Sequence, residues 1–137
     1  MLDFEADFRS ATRLLVKVNK QLDADKVADD AVAIILSRIR KRFLNQTAPD
    51  GSRWPISKAA IMREETGRGG GTLYDSGDLF RSIQAVKRGR GIRAIQTDKD
   101  YAIKHHRGLD GMVARPFLDT NDGDLQFVTD FIISRVK

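Results

Sequence analysis

The apolar residues of this chain change their period along its length, and that change restricts the folds open to it. Near the N-terminus Phe4, Phe8, Ala11, Leu15, Val18 and Leu22 recur at steps of four and three. One stripe at the helical period predicts a helix over residues 3–22, with Asp3 as its cap. A second stripe of Ala28, Val32, Ile35, Ile39 and Phe43, widened by Ala31 and Ile34, predicts a helix over 25–44. Further on the period falls to two. Residues 83–88 and 92–97 alternate like strands, and Gly89-Arg90-Gly91 between them supplies the positive-φ positions of a hairpin loop. A third short strand is expected through Tyr101-Ala102-Ile103. The helical period returns at Leu125, Val128, Ile132 and Val136, predicting a helix over 121–136 capped by Asn121 or Thr120. This order reads as α+β: a small antiparallel sheet, formed by a β-hairpin plus a third strand, packed against two N-terminal helices and one C-terminal helix.

Residues 45–77 follow neither period. Ala48-Pro49-Asp50-Gly51 is a turn, because proline presets φ at its second position and glycine suits its fourth. Pro55 disfavours helix at Trp54, which is therefore extended. Residues 57–65 suit a short helix, with the glycine-rich Gly67-Arg68-Gly69-Gly70-Gly71 tract after it. Asp75 or Ser76 is placed to cap a helical turn holding Leu79, Phe80 and Ile83. So long an irregular stretch is expected to be mobile, or ordered only against a partner. The 137 residues read as a single domain, 1–137.

Charge is distributed unevenly. Residues 1–37 carry 5 basic and 7 acidic side chains, residues 38–118 carry 17 and 8, and residues 119–137 carry 2 and 4. The basic excess belongs to the middle segment, in two clusters. Arg38, Arg40, Lys41 and Arg42 crowd the end of the second helix, where cations complement the helix dipole. Lys87, Arg88, Arg90 and Arg93 surround the hairpin tip, where they would meet phosphates without reading bases, or acidic protein surfaces. A basic, non-sequence-specific nucleic-acid-binding module is thus one functional reading.

Sites for chemistry are poorly supported. Gly89-x-Gly91-x-x-Ala94 fits a loose dinucleotide pattern, but it joins two strands instead of opening a helix. Gly67–Thr72 lacks the lysine of a phosphate loop. Ser76-Gly77 lacks the earlier glycine of a nucleophile elbow, with Tyr74 standing there. His105 and His106, adjacent on an expected strand, point to opposite faces and read as part of an exposed basic loop with Lys104 and Arg107. The chain has no cysteine and no apolar run near the ~20 residues of a membrane span. Met1–Glu5 does not read as a secretory signal. The expectation is a non-enzyme without cofactor, metal or membrane contact.

An ordered set of short elements remains: Pro49-Asp50-Gly51, Trp54, Leu73-Tyr74-Asp75-Ser76-Gly77-Asp78-Leu79, Tyr101-Ala102, Arg107-Gly108 and Arg115-Pro116-Phe117-Leu118. In this order and spacing, over residues 43–118, the chain resembles the bacteriophage virion-morphogenesis family, the tail-completion, neck and tail-terminator proteins of tailed phages. The resemblance implies a structural subunit of a ring, sixfold, at the head-proximal end of the tail. Its implied partners are further copies of itself, the tail-tube protein, head connector or adaptor proteins and, without specificity, genomic DNA in the lumen. It implies a place in the virion, reached from the host cytoplasm. Trp54, Leu79, Tyr101, Arg115, Pro116, Phe117 and Leu118 are then structural anchors. Pro116 holds Arg115 extended and lets Phe117 and Leu118 plug the core. Arg115 is expected to pair with a carboxylate, either inside the subunit or across a subunit boundary.

Overall fold

The computed structural model describes residues 2–9, 23–74 and 76–136. Its elements run β1 (Leu2–Asp7), α1 (Ala24–Leu44), α2 (Lys58–Glu65), α3 (Asp78–Ser82), β2 (Gln84–Gly89), β3 (Ile92–Thr97), α4 (Ala102–Arg107) and α5 (Asp122–Val136). The architecture is α+β. The sheet is antiparallel in the order β1-β3-β2, so the hairpin's second strand lies at its centre. Helix α1 packs on β3 and β2, and α5 packs on α1.

The third strand is not where the periodicity placed it. Residues 2–7, expected to open a helix, form β1, and Tyr101-Ala102-Ile103 belongs to a helical turn. The N-terminal segment has two periods superimposed, since Asp3, Glu5 and Asp7 also alternate with apolar neighbours. What selects the strand is the free edge of β3, with Leu2 opposite Thr97 and Asp7 opposite Ile92. On the outer face Arg88, from the far strand, reaches Asp3 at 2.6 Å and Glu5 at 3.1 Å across the sheet. Leu2 and Phe8 are buried at the two ends of the strand. The rest of the expected helix, residues 10–22, lies outside the described residues. At 101–103 three residues are too few to establish a period. The chain turns at Lys99, whose carbonyl accepts from the Ala102 amide at 3.1 Å, and continues into α4.

Other elements fall where they were expected. Asp23 caps α1, its carboxylate accepting from the amides of Asp25 and Lys26. Ser57 caps α2 through the Ala60 amide. Asn121 caps α5 reciprocally with Asp124: each side chain accepts the other's backbone N–H, at 2.8 and 3.1 Å. Helix α3 starts from Gly77 instead of Ser76, although the Ser76 hydroxyl still accepts from the Asp78 amide at 3.3 Å; Asp75, the other expected cap, lies outside the described residues.

The hairpin loop needs Gly91 for two reasons. Its φ is +71°, and a Cβ there would stand 2.9 Å from the Arg9 side chain. Its carbonyl accepts from the Phe8 amide and its amide donates to Asp25, both at 2.9 Å. This one residue thereby ties the hairpin to β1 and to the start of α1.

The core is one cluster built on α1, whose Ala28, Ala31, Val32, Ile35, Ile39 and Phe43 are all buried. Phe43 is its aromatic centre. Its ring meets Trp54 at 5.2 Å, Phe80 at 5.6 Å and Phe117 at 5.7 Å, two of these contacts edge-to-face. The irregular segment, α3 and the chain before α5 therefore converge on one side chain. Phe43→Ala is expected to destabilise the fold by ~3–5 kcal/mol, measured as a lower denaturant midpoint, because three elements lose their common contact. A loss well under ~1 kcal/mol would mean that the three elements are held independently of Phe43.

Candidate functional site

The elements that carry the family resemblance meet beside this aromatic centre. Helix α1 ends at Asn45, and Gln46 follows with φ +61°, reversing the chain. The Gln46 carbonyl then accepts from the Trp54 amide at 2.7 Å, and Pro49-Asp50-Gly51 makes the turn between them. Trp54 is buried, and its indole N–H donates to the Pro116 carbonyl at 2.9 Å. Arg115 reaches the same strand of chain: its Nε donates to the Pro55 carbonyl at 2.7 Å. Two side-chain bonds running in opposite directions thus clasp residues 54–55 to residues 115–116. Phe117 and Leu118 are buried beyond the clasp, as is Leu79 of α3. Pro116 is half-buried, and Tyr101 is exposed, its ring edge-on to His105 at 5.9 Å.

His106 organises this segment. Both histidines lie on α4, not on a strand or in a loop, and both are partly buried. His106 Nδ1 accepts from the amides of Phe117 and Leu118, at 3.2 and 3.3 Å, and its ring stands edge-on to Phe117 at 5.5 Å. An Nδ1 that accepts must be unprotonated, so the proton of the neutral ring sits on Nε2. Burial lowers the His106 pKa from its ordinary value; nearby Asp119 opposes this and Arg107 adds to it. The His105 backbone carbonyl accepts from the Arg115 amide at 2.8 Å, while its own Nδ1 is buried without a hydrogen-bond partner among the described residues. Burial, and then the charge of Arg115, lowers the His105 pKa.

Gly108 ends α4 in the left-handed region, at φ +71°. A Cβ there would stand 2.6 Å from the Ala114 amide nitrogen, so the Arg107-Gly108 element reflects a close backbone approach. Next to the clasp opens a cleft of 320 Å³ whose walls include Ser57, Leu73, Ser76, Leu79, Tyr101 and His105, with Arg115 among them. It joins residues from separate motif elements, from Leu73 to Arg115, that are up to 42 positions apart.

The basic clusters are placed differently from what their sequence suggests. Arg38 and Arg42 both bind Asp124, which is fully buried, at 2.5 and 2.7 Å. Arg42 also donates to the Asp119 carbonyl, and the Arg38 guanidinium lies 4.2 Å over the Phe127 ring. Arg40 donates to the Ile83 carbonyl at 2.9 Å. At the hairpin, Arg93 is 3% exposed and bonds Asp29 at 2.5 Å and Asp25 at 3.3 Å. Lys87 meets Asp25 at 3.0 Å. With the Arg88 pairs, the acidic N-terminal segment neutralises three of the four cations around the hairpin tip. Lys41 and Arg90 are exposed and make no ion pair among the described residues. The Asp25 pKa falls to about 2, chiefly because its carboxylate accepts the Gly91 amide and then Lys87. Burial alone would raise the Asp124 pKa, but the bonds from Arg42 and Arg38 outweigh it and the net shift is downward.

His106 and Asp124 are the two residues whose importance the sequence concealed. The His105-His106 pair reads in sequence as part of an exposed basic loop, and among the described residues no group of three or more histidine or acidic side chains is placed to hold a metal. Asp124 was visible only as an acidic residue in the first turn of a helix. Its spacing from Asn121 is that of a capping pair, the one local signal of its role.

The model of the phage virion morphogenesis family matches residues 6–137. The chain belongs to that family, a structural family of phage assembly, and is a virion component. No curated protein and no solved structure matches it. Among the described residues no helix is long and apolar enough to cross a membrane.

Two consequences can be measured. The His106 pKa is lowered in the fold, so the unfolded chain binds more protons as pH falls and stability rises with pH. The contribution is complete above the ordinary histidine value of about 6.5 and is lost as pH falls through the lower folded value. Denaturant midpoints at pH 7.5 and 5.5 should therefore differ, and His106→Gln should shrink the difference, with His105 supplying the remainder. An undiminished difference would show that the Nδ1 bonds do not matter. Separately, Asp124→Asn removes the partner of two guanidinium groups at a buried position. It should cost ~3–5 kcal/mol in equilibrium unfolding. A change within ~0.5 kcal/mol would mean that water serves Arg38 and Arg42 equally well.

Proposed function

We propose that this protein completes or terminates the phage tail and joins it to the head, as one subunit of a sixfold ring at the head-proximal end. Its partners are neighbouring copies, the tail-tube protein and the head connector or adaptor proteins, and genomic DNA passes through the lumen without specific contact. The observation that carries this reading is the surface around the clasp. Leu109, Met112 and Val113 are 39–53% exposed just before Arg115, and Ile56, next to the Pro55 carbonyl that Arg115 binds, is 71% exposed. Apolar side chains gathered beside a rigid clasp favour a protein partner.

The internal pairing of Arg38, Arg42, Lys87, Arg88 and Arg93 weighs against a nucleic-acid-binding module. A phosphate track needs cations that are not already satisfied. Lys41 and Arg90 remain for docking onto acidic partner surfaces, where such charges set the rate and salt dependence of association.

The test is a phage lacking this gene. Its lysate is expected to contain separate filled heads and tails in negative-stain images, and adding the purified protein should restore joined particles. Joined particles without the protein, or heads and tails that stay separate after it is added, would refute the assignment.

A further inference from the structure

Arg115 departs from the rule that the other buried charges here obey. It is 8% exposed, yet its guanidinium meets only backbone carbonyls, Pro55 at 2.7 Å and Val113 at 3.4 Å. No described carboxylate pairs with it. Arg93, buried to a similar degree, has two carboxylate partners, and Asp124 has two guanidinium partners. A buried ion without an opposite charge is costly unless something from outside supplies that charge. Arg115 lines the 320 Å³ cleft, and so does His105, whose Nδ1 is buried and unbonded. Ser57 and Ser76 add hydroxyl groups to the walls, and Leu73 and Leu79 add apolar surface. A charged head on a short aliphatic stem fits these walls.

We propose that this cleft receives an acidic side chain of a second copy of this chain, whose carboxylate pairs with Arg115. A carboxylate matches the planar fork of a guanidinium and can accept two parallel bonds from it. A duplex phosphate fits less well, since it sits on a broad convex backbone that does not enter a cleft of 320 Å³. The chain offers carboxylates of its own. Glu64, Glu65, Asp98, Asp100 and Asp122 are exposed and make no ion pair among the described residues. A cleft on one surface filled from a different surface of the next copy makes a head-to-tail contact, the kind that closes into rings. The inference therefore rests on the ring reading above and names the contact within it.

The experiment compares the full-length chain with Arg115→Gln and Arg115→Lys by sedimentation velocity over a concentration series, alongside thermal melts at a concentration where each is monomeric. The wild type is expected to self-associate. Arg115→Gln loses the bond to the Pro55 carbonyl together with the charge, so its association is read below its own melting temperature, where it should be at least about tenfold weaker than wild type. Arg115→Lys keeps the charge but loses the fork, so its association should fall between the two; it carries the test if the Gln variant does not fold. A wild type that stays monomeric would sink the ring reading and this contact with it. A wild type that associates while both variants associate equally well would sink the contact alone. A folded Arg115→Gln that assembles normally but loses affinity for a duplex oligonucleotide in fluorescence anisotropy would assign the cleft to phosphate and overturn the proposal.

Discussion

A charge taken out of water is costly unless it meets its opposite, and the packing of α1 against α5 and against the hairpin follows that constraint. Asp124 is fully buried at the start of α5, and Arg38 and Arg42 reach it from α1. The same carboxylate closes the reciprocal cap with Asn121, and the Asn121 amide group donates to the Pro49 carbonyl at 2.7 Å. Helix packing, helix capping and the position of the irregular segment thus share one carboxylate. At the other end of α1, Asp25 and Asp29 do the same for Arg93 and Lys87, fixing the hairpin on the helix. Such pairs add little net stability over an apolar contact, but a misplaced helix would leave the charges uncompensated, and that restricts the register in which the elements can dock.

The segment between α1 and β2 follows from this arrangement. It has little regular structure with which to satisfy its backbone, so side chains do so. The Trp54 indole, the Arg115 guanidinium and the His106 imidazole each bond main-chain atoms distant in sequence. Phe43 gives the assembly its apolar floor. Each such position demands one side-chain geometry, whereas a helical stripe accepts many apolar residues.

For a virion morphogenesis protein this is a sensible division. The sheet and α1 form a rigid base, and the clasp presents a cleft and exposed apolar side chains to one region of the surface.

Much of the architecture was legible in the residues themselves. The stripes of α1 and α5, the hairpin with Gly91 at its turn, the short α2 and the α+β class all follow from local period and capping, which depend on neighbours within one or two turns. The third strand did not follow, because residues 2–7 support both periods and only the open edge of β3 selects between them. The basic clusters misled for a related reason. Formal charge is additive along a sequence, but a charge's availability depends on what folds against it, and Asp25 lies 62 positions from Lys87. His106 was read as exposed because its partners, the amides of Phe117 and Leu118, are 11 and 12 residues away. Sequence alone carried the periods of α1, α5 and the hairpin and the resemblance to the family. Tertiary structure decided which charges are already paired and which, like that of Arg115, meet no carboxylate among the described residues, because electrostatic pairing is set by distance in space.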